Sequence, residues 1–257
     1  MAWYLYPLII ISGFIAGFIN TLAGSGSLVT LPVLIFLGLP ANIANGTNRV
    51  AIIFQNIIGA SGFHHNKLLD TKGAIYLGIP AIIGSLIGAQ IAVQINETIL
   101  RAVIGWLMLA MLFVILLRPK RWLHGKLEFL KSRPNWLTNL IFFLIGIYGG
   151  FIQAGVGIFL LAGLVLGVGY DLVRANAVKV GIVLLLTFAA LFVFVINQQV
   201  NWGIGFILAI GNMVGAWTGT RVAAEKGAAW VRRLLIIIVA VSGANLLGLF
   251  KMLSNLF

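Results

Sequence analysis

Runs of about 20 apolar residues recur from one end of this chain to the other, and the run 73–94 holds no charged residue at all. A helix of that length spans bilayer hydrocarbon with every backbone hydrogen bond closed inside itself. Of the 257 residues, 61% are hydrophobic and 9% charged, where a soluble domain carries about 25% charged residues. Such a chain cannot cover a water-facing surface. Strands of a transmembrane barrel would alternate apolar and polar residues, and these runs do not. The expected fold is an all-α polytopic membrane protein.

The formal net charge is +12, but a nucleic-acid partner is not expected. In membrane proteins Lys and Arg mark cytoplasmic loops, and the rule concerns their placement rather than their sum. The absence of cysteine excludes disulfides, thiolate chemistry and Cys-ligated metals. The start, "MAWYLYPLII", lacks a positive n-region and a small-residue cleavage site, so it is read as the first helix.

Ten apolar segments are expected, at 3–22, 27–38, 42–63, 73–94, 97–117, 136–153, 158–168, 172–196, 200–223 and 228–253. If the second and seventh cross despite their shortness, with the N-terminus outside, all but three of the 17 Lys and Arg fall on the cytoplasmic side. The exceptions are Arg49, Arg101 and Lys251. If the short segments did not cross, Arg221, Lys226, Arg232 and Arg233 would face outward, so the ten-crossing arrangement satisfies the rule better.

Both short segments follow a glycine pair: Gly24-Ser25-Gly26 and Gly155-Val156-Gly157. The stretches 24–50 and 155–181 align at an offset of 131, pairing Gly24 with Gly155, Gly26 with Gly157, Gly38 with Gly169, Asn45 with Asn176 and Asn48 with Lys179. Upstream, "GFIN" meets "GFIQ" at 133. Downstream, Gly78, Gly84 and Gly88 meet Gly205, Gly211 and Gly215 at 127. Five crossings per half would turn one half upside down relative to the other. The expected organisation is two inverted five-helix repeats, 1–117 and 136–257, each with a short interrupted helix, joined by a cytoplasmic loop 118–135. Paired interrupted helices in inverted repeats place a substrate site near the bilayer midplane, because irregular backbone at that depth must be buried or line a wet cavity.

The residues gathered at the breaks are Asn20, Gly24, Ser25, Gly26, Asn45, Thr47, Asn48 and Arg49 from the first half, and Gln153, Gly155, Gly157, Asn176 and Lys179 from the second. Donors and cations dominate, and all five acids map to loops or helix ends. A cation site normally needs a carboxylate, so this set is expected to bind a small anion. Each residue also has a plainer reading. Arg49 and Lys179 could snorkel to the interfaces. The glycines could serve close packing, and Asn45 and Asn176 could cap the third and eighth helices. The small-residue patterns Gly84/Gly88 and Gly211/Gly215/Gly219 are assigned to helix packing. No catalytic dyad, cofactor motif or metal-ligand cluster is present, so neither an enzyme nor a cofactor is expected.

The stretch "GFINTLAGSGSLVTLPVLIFLGLPANIANGTNRVA" resembles the first signature of the TauE/SafE family of sulfite and sulfoacetate exporters: a glycine-rich break, a short helix and an A-x-G-T-N element, here Ala44-Asn45-Gly46-Thr47-Asn48. The second signature is degenerate, with Ala175-Asn176-Ala177-Val178-Lys179. The resemblance implies transport of anionic sulfur compounds or organosulfonates by a protein of the prokaryotic plasma membrane. The expectation is a secondary transporter of a small anion working by alternating access, with an anion channel of the same architecture as the alternative. Its partners are the anion and membrane lipid, with homo-oligomerisation left open.

Overall fold

The computed structural model describes residues 5–117 and 136–222. Among them the chain is helical throughout: α1 (Leu5–Ala23), α2 (Ser27–Phe36), α3 (Ala41–His65), α4 (Thr71–Gln94), α5 (Glu97–Leu117), α6 (Trp136–Phe151), α7 (Val156–Ala162), α8 (Leu172–Ile196) and α9 (Trp202–Val222). These match the expected segments to within about two residues, except that α7 continues as a π-helix over Gly163–Val168. The tenth expected segment and the loop 118–135 lie outside the described residues.

The same local conformations recur at the offset of 131. Positive φ falls at Gly24 (75°) and Gly155 (77°), at Gly38 (93°) and Gly169 (91°), and at Lys67 (57°) and Gln198 (57°). α3 and α8 both run 25 residues. Each ends on an asparagine, Asn66 and Asn197, whose side chain donates 2.8 Å back to the carbonyl four residues earlier. Asp70 and Asn201 then open α4 and α9, accepting from the N–H three residues on. The offset falls to 127 along α4 because four more residues separate Asp70 from Gly78 than Asn201 from Gly205. Four residues make about one helical turn, so the glycine face is retained.

Packing repeats reciprocally across the halves. α1 lies along α9 and α6 along α4, while α9 also packs on α3 and α4 on α8. Glycines set both close crossings. A Cβ at Gly13 or Gly17 would strike the backbone of Leu208 or Asn212, and one at Gly211 or Gly215 the carbonyls of Ile10 or Phe14. In the other pair, Gly84 and Gly88 meet the Phe143 and Ile147 carbonyls, and Gly146 and Gly150 meet those of Ala81 and Ser85. The packing role expected for Gly84, Gly88, Gly211 and Gly215 holds, and α1 and α6 supply the facing glycines.

Outward-facing positions are large and apolar, including Ile75, Ile79, Ile83 and Ile87 on α4 and Phe206, Ile210, Val214 and Trp217 on α9. That exterior suits hydrocarbon. Among the described residues, 71–94, 172–196 and 202–219 are long and apolar enough to cross a membrane.

Candidate substrate site

The two breaks touch. A Cβ on Gly24 would come within 2.8 Å of the Gly157 backbone, and one on Gly157 within 2.4 Å of the Gly24 carbonyl oxygen. Positive φ belongs to Gly24 and Gly155, not to Gly26, which is helical at φ −57° and backed against the Ala16 carbonyl of α1. So Gly26 and Gly157 are glycine because backbone approaches them. The left-handed turn, which glycine adopts without the usual Cβ penalty, lies at the first residue of each pair. Gly155 is in addition pressed by the Met111 side chain.

Arg49 is fully buried, so it does not snorkel. From α3 it reaches the end of α6. Its Nη1 donates to the Gly149 carbonyl (3.1 Å) and to Gln153 Oε1 (3.0 Å), and its Nη2 to the Gly150 carbonyl (2.5 Å) and Asn45 Oδ1 (3.5 Å). The guanidinium carbon stands 4.7 Å over the Phe194 ring. Asn45 donates to the Phe151 carbonyl at 2.7 Å. Those carbonyls are the last of a helix whose C-terminus carries roughly half a negative charge, so a cation and an amide together satisfy an end that opens into the break.

Lys179, 2% exposed, repeats this in the other half. From α8 its Nζ donates to the Asn20 carbonyl near the end of α1 (3.1 Å) and to Asn176 Oδ1 (2.5 Å), and Asn176 donates to the Thr21 carbonyl (2.8 Å). Asn45 and Asn176 therefore do not cap their own helices, whose N-caps are Pro40 and Asp171. Each one closes the broken helix of the opposite half.

The other expected site residues divide. Asn20 Oδ1 accepts a long bond from Gly26 N–H, 3.5 Å. Asn48 accepts from Thr30 at 2.6 Å, while its Nδ2 is buried with no partner, as are Ser25 Oγ and Arg49 Nε. Thr47 faces away from this cluster and accepts from Asn201 N–H at 2.9 Å. Its neighbour Gly46 lies under the Gln199 carbonyl, where no Cβ fits. The equivalent Ala177 lies in a buried apolar cluster with Phe63 and Val180, and alanine is accommodated. Sequence reasoning missed Thr187, which accepts from Gln153 Nε2 at 2.5 Å and donates to the Val183 carbonyl. It also missed Thr30 and Phe194.

Outside the membrane-spanning segments, Tyr170 donates to Asp70 at 2.6 Å, joining the α3–α4 turn to the entry of α8. Partial burial works to raise the Asp70 carboxyl. Hydrogen bonds from Gly73 N–H and Tyr170, with the nearby Arg174 charge, outweigh it and hold that carboxyl below the ordinary aspartate value. Burial first, then the carboxylate, push the Tyr170 hydroxyl upward.

The chain as a whole is similar to known membrane proteins. Residues 9–246 match the profile of the family described as "Sulfite exporter TauE/SafE". A protein of Sinorhizobium sp, "Probable membrane transporter protein ORF9", is 26% identical over 248 residues, covering 96% of this chain and 94% of its own. The "Probable membrane transporter protein YfcA" of Escherichia coli strain K12 is 29% identical, covering 91% and 86%. A "Probable membrane transporter protein" of Haemophilus influenzae is 27% identical, covering 88% of each.

Proposed function

The chain belongs to the sulfite exporter TauE/SafE family, and on that premise we propose that it is a secondary transporter of a small anion, of the sulfur oxyanion, organosulfonate or organic-acid class. It is an integral membrane protein of the prokaryotic cell membrane and a membrane transporter. The observation that carries the anion reading is the pair of buried cations. Arg49 and Lys179 lie in the interior, while the described acids, Asp70, Glu97 and Asp171, all stand at helix starts. Buried cations normally pair with a counter-charge, and intramembrane ones mark substrate paths. Here each meets a helix C-terminus worth roughly half a charge. Among the described residues about one unit of positive charge is then left in the interior, which one monovalent anion neutralises.

The mechanism follows from where the breaks cross. Gly24 and Gly157 bring the interrupted helices of both halves together in the interior. Ser25, Asn48 and Arg49 offer buried donors without partners there. In an inverted repeat one half rocks against the other around such a site, exposing it to each side in turn. The reaction is movement of the anion, with no covalent chemistry. The test is uptake of labelled methanesulfonate, sulfite, sulfate and acetate into proteoliposomes preloaded with the same unlabelled anion, with and without sodium, at acid and alkaline pH. Saturable uptake of at least one anion is expected. Folded protein that carries none of them ends the anion reading, and large unitary currents would assign an anion channel instead.

A further inference from the structure

We infer that this transporter is an obligate anion exchanger, in which the substrate itself releases two clamps that hold the empty protein in one conformation. The inference rests on the anion reading above and adds how transport is coupled. It comes from the way the two cations are already engaged.

A guanidinium has five N–H donors and grips an oxyanion best through two of them in parallel. In Arg49, Nη1 and Nη2 each make two bonds, to Gly149, Gln153, Gly150 and Asn45, and Nε alone is unpartnered. An anion therefore cannot take the fork without displacing carbonyls of α6. On the other side, the Lys179 ammonium holds the Asn20 carbonyl of α1. Both clamps run between halves: Arg49 from the first half grips α6 of the second, and Lys179 from the second grips α1 of the first. Asn45 and Asn176 reinforce them, each donating to the same helix end as its neighbouring cation.

In this exchanger, rocking of one half against the other parts the helix ends that these contacts join. Without substrate, the broken state takes a cation and several carbonyls from their protein partners in the interior, which is costly. Among the described residues no carboxylate stands ready to take the released N–H groups. A bound anion supplies oxygens that do. The loaded protein then changes conformation readily and the empty one does not, so an anion leaves one side only as another enters from the opposite side. Protons and sodium are not needed for coupling.

The experiment uses the purified full chain in liposomes, with the panel anion it carries fastest, radiolabelled and loaded inside. Efflux is measured with and without the same unlabelled anion outside, the membrane potential being clamped by potassium and valinomycin. Efflux should be at least about tenfold faster with external anion, the rate effect of one charge-assisted hydrogen bond retained in the barrier. Equal rates would overturn the exchanger while leaving the anion reading intact. Folded protein that moves no panel anion would overturn both. Asn176→Ala weakens one clamp without removing its charge, so the ratio of exchange to net efflux should fall severalfold. An unchanged ratio in folded Asn176→Ala protein counts against the clamps. Should that variant not fold, Asn45→Ala tests the other clamp, and the wild-type comparison stands in either case.

Discussion

Replacing Gly157 by alanine separates backbone crossing from backbone freedom as the reason for the glycines. The new Cβ would lie 2.4 Å from the Gly24 oxygen, 2.5 Å from its Cα and 2.8 Å from its carbonyl carbon. Ordinary contacts of this kind sit at about 3.5 Å, so the two breaks must part by about 1 Å. All three atoms are backbone, and no side-chain rotation relieves the clash. Overpacking of this kind destabilises by about 1–3 kcal/mol, and immovable neighbours put Gly157→Ala at the upper end, near 3 kcal/mol. Gly167 has nothing within 4 Å of its notional Cβ, so Gly167→Ala should change stability by less than about 0.5 kcal/mol. Gly38 has open space but φ +93°, and alanine there should cost about 1 kcal/mol in strain alone. Unfolding of detergent-purified protein, followed by tryptophan fluorescence, ranks the three. The expected order of loss is Gly157→Ala, then Gly38→Ala, then Gly167→Ala. If Gly157→Ala unfolds with the wild type and transports normally, the crossing of the breaks is wrong.

Asn66 and Asn197 are equivalent, exposed helix ends of α3 and α8. In this cysteine-free chain, an impermeant thiol reagent should reach Asn66→Cys from the cytoplasm and Asn197→Cys from outside. Labelling of both from one side excludes the inverted arrangement. Tyr170→Phe should destabilise by about 1 kcal/mol at neutral pH, a partly exposed charged hydrogen bond. The wild-type contribution exists above the ordinary aspartate pKa and is lost as pH falls through the depressed folded value of Asp70. The variant, with less depression, should lose stability at a higher pH, and superimposable pH–stability curves would refute the link. Thr187→Val leaves Gln153 Nε2 unpaired and should weaken anion affinity by about 1–2 kcal/mol through misorientation of the Arg49 partner, with Thr187→Ser restoring it. Equal loss in both variants would reduce Thr187 to a packing role.

Hydropathy alone located the described helices because lipid and packing impose one demand on nearly every position. The breaks were legible too: Gly24 and Gly155, Gly38 and Gly169 each pair in sequence and in φ. What stayed hidden was backbone chemistry. The partners of Arg49 and Lys179 are chiefly carbonyls of Gly149, Gly150 and Asn20, and every residue has a carbonyl. In sequence a snorkelling cation and a buried one therefore look alike, and burial of Arg49 and Lys179 separates them. Gly26 and Gly157 are grouped with the site by their place in the breaks, and the structure sets them against Ala16 and Gly24 backbone, the close packing that was their plainer reading. Thr47 was grouped with the site by its motif, yet it anchors the α8–α9 connection. Thr187 is a lone hydroxyl in an apolar helix, which no spacing rule distinguishes from a filler. The π-helix of Gly163–Val168 left no trace in composition.

The central claim is that Arg49 and Lys179 together hold an anion in the protein interior. Its most direct test is the affinity of purified protein for the best panel anion, measured by calorimetric titration on wild type, Arg49→Ala, Lys179→Ala and Arg101→Ala. Arg101 is an exposed control on α5. The account predicts losses of about 1.5–3 kcal/mol for each interior variant, roughly tenfold to somewhat over a hundredfold in Kd, and none for Arg101→Ala. Wild-type affinity in both folded interior variants would contradict it, leaving the two cations as helix-end clamps with no part in binding.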